Sequence, residues 1–440
     1  MKPVNYFEQY QSKLYSPEEA ISLIQTDSVV FTGGEPNLLL GALLNERERF
    51  SGLKVYSMFG IQGSSGTLIN DPSSDGHIDL GVSVLKVFEE QAWGRGRVDQ
   101  YLVHFSEMEK LIEQHHRPSV LLVHCSPMQE DGWLYLGVHP GCSRAAIDCG
   151  AKVIAQVNDQ MPAVCSDYYR VHISEVTAIC EISAPIMRAN MPIHTAAKED
   201  LAVAGFVAER VNNGATLQIG GGILPDIVGL AFANHRDLGV HSETFSGTFV
   251  ELIEKGAVNN SKKEICNGIS VTGFFIGGAL KAFDMLHMNP KVQLKKQAWI
   301  NDPAVIRQIS NIISINSCLG VDLRGQVCSE SIGLRNTGGI GGQLDFVRGA
   351  RRAPGGKSFI VMRSMVEKKD GAKLSKITFN LPYGSIVSTP CNDVMYVVTE
   401  YGVAELLYKS VRERAKALIA IAHPDFREEL TYQAKKHGLI

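Results

Sequence analysis

Apolar residues fall along the chain in short runs rich in β-branched side chains. They read SVVFTGG at Ser28–Gly34, SVLLVHCS at Ser119–Ser126, AKVIAQVN at Ala151–Asn158, ATLQIGGG at Ala215–Gly222 and KSFIVMRS at Lys357–Ser364. Segments with a helical period lie between them, among them Glu199–Asn212 and Val411–Ile421. Strands alternating with helices predict βαβ units and an α/β fold with mainly parallel sheets. One unit occurs twice. SLIQTDSVVFTGGEPNLLLGALL from Ser22 and AERVNNGATLQIGGGILPDIVGLAF from Ala208 share an order: helix end, polar turn, strand, glycines, proline, apolar helix. Such an echo predicts two similar open α/β domains, 1–187 and 188–440, divided near the proline-bearing stretch SAPIMRANMPIHTAAKED.

Composition changes this picture little. The 440 residues, 45% hydrophobic and 20% charged, suit a soluble globular chain with a large core. A net charge of -3 argues against general nucleic-acid or membrane-surface binding. No apolar run reaches bilayer length and the first residues lack a signal-peptide layout, so a cytoplasmic location is expected. The nine cysteines are scattered without CxxC or zinc spacing, so reduced thiols and no metal are expected. Cys318 and Cys391 read as packing residues rather than nucleophiles. His104, His124 and His139 form no HxxxH or HExxH pair, and Ser242 is not in GxSxG.

The 42 glycines are more informative because they cluster. Gly220, Gly221 and Gly222 follow a predicted strand and precede a predicted helix, a place where bare backbone N–H groups can meet an anion or an oxyanion. A tight turn with close strand–helix packing explains the same residues. The stretch NTGGIGGQLDFVRGARRAPGGKSF holds Gly338, Gly339, Gly341 and Gly342, then Arg348, Arg351, Arg352 and Lys357. Four clustered glycines beside positive charge suit a ligand with phosphates and a reacting carbonyl, or else a loop with a solvated basic face. Glu243 lies in HSETFSG, about twenty residues past the first glycine loop, where a strand ends and a helix has not begun. Ligands of parallel sheets bind at the carboxyl ends of strands. A glutamate there fits a general base or a nucleophile, and also a solvated surface residue.

HSETFSGTFVELIEKGAV, GGIGGQLDFVRGARRAPGGKS, TEYGVAEL and IAIAHPDFREEL together resemble the family I CoA-transferases, in the acetyl-CoA hydrolase/transferase branch that includes 4-hydroxybutyrate CoA-transferases. VHCSPMQEDGWLYLGV and QVNDQMPAV resemble the first domain of that branch, so the likeness covers nearly the whole chain. It implies two α/β domains of the NagB-RpiA-like kind with the active site between them, in a homodimer or larger homo-oligomer. It implies that Glu243 is acylated and then carries coenzyme A as a thioester. Asn301 and the Gly341 N–H would form the oxyanion site. Gly220, Gly221, Gly222, Ile223 and Leu224, with Gly338, Gly341 and Lys357, would contact CoA. No cofactor would be held permanently, CoA or acyl-CoA being a substrate beside a short acid such as 4-hydroxybutyrate. The carboxylate is expected to be ionised at neutral pH without a general base. One departure is Leu407-Tyr408-Lys409, where many relatives carry Arg-Gly-Lys. A CoA-ester hydrolase and a non-catalytic CoA- or metabolite-binding protein are the alternatives.

Overall fold

The computed structural model describes residues 5–59, 68, 71–85, 96–186, 195–276 and 280–440. The chain divides into two compact units: Met1–Met191 with Thr272–Trp299, and Pro192–Val271 with Ile300–Ile440. The division expected from sequence, 1–187 and 188–440, treats the second part as one run, whereas compactness groups Thr272–Trp299 with the first unit.

In the first unit seven strands, β1 (Val29–Gly33), β2 (Leu53–Phe59), β3 (Ile78–Val84), β4 (Val98–Gln100), β5 (Val120–Cys125), β6 (Lys152–Asn158) and β7 (Val176–Ile182), lie in the order β4-β3-β2-β1-β5-β6-β7. Every pairing is parallel. All six residues of β5 are buried, which explains a run of continuous apolar character rather than an alternating one. The helices Pro17–Ser22 and Asn37–Asn45 cover one face through Ile21, Leu39 and Leu43 against Val30, Val55 and Ile154. The first of them starts at a capping box built from Ser16 and Glu19. Thr272–Trp299 is tied in by Met288 N–H to Ala163 O at 2.8 Å, Leu294 N–H to Cys165 O at 3.0 Å and Gln297 N–H to the Tyr169 hydroxyl at 3.0 Å.

The strands lying wholly in the second unit's main sheet are β8 (Thr216–Ile219), β9 (Gly239–Phe245), β10 (Ile312–Ser317), β11 (Lys357–Val361), β12 (Tyr396–Thr399) and β13 (Gly402–Glu405), in the order β9-β8-β10-β11-β12-β13. Only the β12–β13 pair is antiparallel. The echo seen in sequence is a topological one. β1 lies between β2 and β5, and β8 lies between β9 and β10. Each is followed by glycine and a helix, Asn37–Asn45 or Ile223–Leu230. All five apolar runs picked out by pattern are strands. The helix expected over Glu199–Asn212 is Lys198–Ala208, shorter at its end because the chain turns through Asn212-Asn213 and Gly214, whose φ is +76°. Among the described residues no helix is long and apolar enough to cross a membrane.

Candidate active site

Strand β9 sets the site. Its residues alternate between two faces. Ser242 and Thr244 turn toward the end of β8: Thr244 Oγ1 donates to Ile219 O at 2.7 Å, and Ile219 N–H donates to Ser242 Oγ at 3.3 Å. His241 and Glu243 share the other face. His241 is fully buried, its Nε2 lies 2.9 Å from Ile300 O, and its ring meets Phe346 edge-on at 6.2 Å. Burial pushes this imidazole down to about 3, so it is neutral, and the bond to a carbonyl makes Nε2 the donor. It thereby fixes the backbone one residue before Asn301. Glu243 accepts a hydrogen bond from Asn301 Nδ2 at 2.7 Å and another from the backbone N–H of Gly342. Beyond β9, Ser246 and Thr248 both donate to Asp226 Oδ1, at 2.6 and 2.9 Å, which joins the start of helix Gly247–Glu254 to helix Ile223–Leu230.

The Glu243–Asn301 pair fits only because residue 342 lacks a side chain. A Cβ there would stand 1.8 Å from Glu243 Oε2 and 1.9 Å from Asn301 Nδ2. Gly342 caps the helix Gln343–Arg352, whose first turn carries the buried Asp345. Glu243 is half-buried as a residue, and the protein around its carboxyl displaces much of the water. Desolvation pushes its pKa up to about 8. The Asn301 and Gly342 donors oppose that rise and the Asp345 charge adds to it. This corrects the expectation of a carboxylate simply ionised at neutral pH: these surroundings favour the protonated form at pH 7, and a higher pH favours the anion.

The other residues expected from sequence divide into those near this arrangement and those elsewhere. Gly341, half-buried with φ +56°, immediately precedes the amide that reaches Glu243, so the contact made is that of Gly342. Gly338 is half-buried in the same loop, packed beside the Glu330 backbone. Gly220 follows β8, and a Cβ on it would meet Asn316 Oδ1 at 2.6 Å. Gly221 and Gly222 are exposed; Gly222, at φ +138°, opens the helix that begins with the exposed Ile223 and the half-buried Leu224. Beneath this loop Gln218, Ser314 and Asn316 bond one another at 2.6 to 3.1 Å, a satisfied polar network that holds the ends of β8 and β10.

Lys357 is not with them. It begins β11, at the amino end of a parallel strand, and its Nζ donates to Arg210 O at 2.7 Å, just past the helix Lys198–Ala208. That bond satisfies a helix-end carbonyl and turns the amine away from the carboxyl ends of the strands. The positive charge expected beside the glycine loop is also partly committed. Arg348 and Arg351 pair with Asp393 at 3.0 and 3.3 Å, while Arg352 is exposed. Cys318 is buried, with its thiol pushed up to about 11, as suits a packing residue. Sequence reasoning gave no role to His241 or Asp345, and it named Gly342 only as one of four clustered glycines. Period-two alternation in GVHSETF placed His241 on the face of Glu243, and Gly342 is the last glycine before a helix. Nothing local marked Asp345 as a neighbour of Glu243.

The chain resembles known proteins over nearly its whole length. Residues 1–187 match the acetyl-CoA hydrolase/transferase N-terminal domain and residues 278–434 the corresponding C-terminal domain. The chain is 38% identical over 431 residues to a 4-hydroxybutyrate coenzyme A transferase of Clostridium kluyveri, covering 97% of this chain and 98% of that one. It is 36% identical to a succinyl-CoA:cyclohexane-1-carboxylate CoA transferase of Geobacter metallireducens, covering 99% and 98%. Among solved structures it matches RipA from Yersinia pestis with a TM-score of 0.93 at 33% identity over 99% of this chain and all of that one. It matches a 4-hydroxybutyrate CoA-transferase of Porphyromonas gingivalis with a TM-score of 0.82 at 32% identity over 98% and 100%. With both domains matched and near-full-length likeness to named CoA-transferases, the chain belongs to the acetyl-CoA hydrolase/transferase family.

Proposed function

We propose that the protein transfers coenzyme A between a short acyl-CoA, such as acetyl-CoA, and a short carboxylic acid of the 4-hydroxybutyrate kind, through a covalent glutamyl-CoA at Glu243. The observation that carries this reading is the Glu243 carboxyl held by two N–H donors, the Asn301 amide and the Gly342 backbone, on a strand next to two glycine loops.

The chemistry follows from that arrangement. Once ionised, a Glu243 oxygen attacks the thioester carbonyl, and the tetrahedral oxyanion collapses by expelling CoA thiolate. A mixed anhydride between the acyl group and Glu243 remains. The thiolate then attacks the glutamyl carbonyl, releases the first acid as a carboxylate and leaves glutamyl-CoA. The incoming acid runs the same steps backward and departs as its CoA ester. Each tetrahedral stage places negative charge on oxygen, and a preorganised donor is worth about 3–4 kcal/mol against it. Glu243 reacts as the anion, so binding that brings a positive or hydrogen-bonding group to it raises the reactive fraction. A partly apolar acyl pocket separates acids differing by one methylene by only about 1–3 kcal/mol, so several short acids are expected to serve.

Acetyl-CoA offered without an acceptor tests the reading. Mass spectrometry of the Glu243 peptide should find the mass of CoA less one water, and the adduct should disappear when an acid is added. Absence of the adduct during undiminished transfer rejects it. An acetyl-CoA hydrolase of Saccharomyces cerevisiae, 26% identical over 72% of this chain, supports a second reading with water as acceptor. Release of free thiol without any added acid, at the rate of transfer, favours that one.

A further inference from the structure

At the carboxyl ends of β1, β5 and β6, within the first unit, lies a cavity of about 80 Å³. Gly34, His124, Val138, Gln156, Met161 and Phe275 are among its walls. It occupies the place where the strand order reverses, since the chain leaves β1 on one side through β2 to β4 and returns on the other at β5. Ligands of open parallel sheets collect at such a point. The space exceeds the roughly 10–15 Å³ that one water molecule needs.

His124 is only 7% exposed. Its Nδ1 lies 3.1 Å from the carbonyl oxygen of Gly34. A carbonyl accepts and never donates, so Nδ1 carries the hydrogen and Nε2 is left as a lone-pair acceptor. That Nε2 is buried and has no hydrogen-bond partner among the described residues. Burial pushes the ring down to about 4, so it stays neutral at pH 7 and remains an acceptor. Gln156 is the direct register partner of His124 across β5 and β6, so both side chains leave the sheet on the same face. The amide oxygen of Gln156 is committed to the Leu38 N–H at 2.8 Å, which leaves its NH2 as the group it can offer. An unmet acceptor and an available donor thus stand side by side, among the apolar side chains of Val138, Met161 and Phe275.

We infer that this cavity binds the hydroxyl end of a small alkyl chain, the O–H donating to His124 Nε2 and the same oxygen accepting from the Gln156 amide. One hydroxyl meets both needs, and the carbon chain covers the apolar wall. An anionic end is not matched here: no lysine or arginine stands among the described lining residues, and Glu35 does. The inference does not rest on the transfer chemistry at Glu243.

Butan-1-ol and diethyl ether test the inference on the full-length protein, because they are isomers that differ in possessing an O–H. Ligand-observed NMR titration should give butan-1-ol an affinity at least about ten-fold above the ether, since a buried acceptor left unmet discriminates strongly. His124→Phe should bring the two within about two-fold of each other. In the unmodified chain, butan-1-ol should move the 15N resonance of His124 Nε2, a readout that needs no variant to fold and no turnover. Equal affinities, no binding of butan-1-ol, or an unmoved His124 resonance showing that water alone fills the space would each overturn it.

Discussion

Replacing Gly342 by alanine adds one methyl group at a point where the structure has no room for it. Gly342 has φ −101° and ψ 8°, a conformation open to alanine, so the substitution introduces no backbone strain. Its effect falls on the side chains. The new Cβ would lie 1.8 Å from Glu243 Oε2, 1.9 Å from Asn301 Nδ2 and 3.0 Å from Glu243 Cδ. The oxygen and nitrogen are themselves 2.7 Å apart. To regain ordinary contact with the methyl while keeping their hydrogen bond, the pair must retreat together by about 2 Å; otherwise it must separate. A misplacement of about 1 Å already costs on the order of 10²-fold in rate, and loss of one oxyanion donor costs ~10²–10³-fold. Gly342→Ala is therefore expected to lower kcat for transfer from acetyl-CoA to 4-hydroxybutyrate by at least about 10³-fold. Overpacking costs only about 1–3 kcal/mol in stability, so the protein should remain folded, with a melting temperature a few degrees lower. Initial rates and a thermal melt on the same preparation decide the matter. A folded Gly342→Ala protein turning over within about three-fold of the parent would refute the claim that this contact shapes the reaction.

Asn301→Ala removes one of the two donors and should cost ~10²–10³-fold in kcat while leaving KM for CoA esters little changed. Glu243→Gln should abolish both transfer and the CoA adduct, and it should also stabilise the fold. The carboxyl rises from 4.5 to about 8 on folding, so the folded state holds its proton where the unfolded chain has lost it. The parent therefore loses stability as pH climbs from about 4.5 to about 8, and the advantage of the glutamine should grow across that window and level off above it. Its ceiling is about 5 kcal/mol, reduced by the solvent that reaches a half-buried residue, and melting curves at pH 5 and pH 8.5 measure it. In the free enzyme kcat/KM should climb ten-fold per pH unit below about 8 and then flatten. Asp345→Asn removes a charge that holds the Glu243 proton on, so the same limb should move to lower pH; a limb that stays in place would show that Asp345 does not act on Glu243.

What could be read from the residues was the part that obeys a local period. The apolar runs became β1, β5, β6, β8 and β11, and the repeated strand–glycine–helix unit became two sheets with matching neighbours. Glu243 was legible from its place about twenty residues past the first glycine loop and from the family resemblance, although it lies inside β9 rather than past its end. The rest depends on information that no short stretch carries. Lys357 looked like part of the second glycine loop because it follows Gly355-Gly356, but entering a parallel strand puts it at the end away from the reacting carboxyl. Gly341 and Gly342 cannot be told apart by type, and only the start of the helix at Gln343 decides whose amide meets Glu243. The ionisation of Glu243 depends on enclosure and on a charge about a hundred residues onward, neither of which composition reveals.

The first unit is not finished when its own run of sequence ends at Met191, since Thr272–Trp299 belongs to it. The backbone amides of Met288 and Leu294 meet the carbonyls of Ala163 and Cys165 only after the intervening stretch has been made. A ribosome adding about 5–20 residues per second needs some 5–20 s to cross that interval of roughly a hundred residues. For that time the nascent amino-terminal sheet waits with those carbonyls unmatched. A fragment ending near residue 187, although it contains the whole of the amino-terminal family match, is thus expected to be a poor candidate for independent expression.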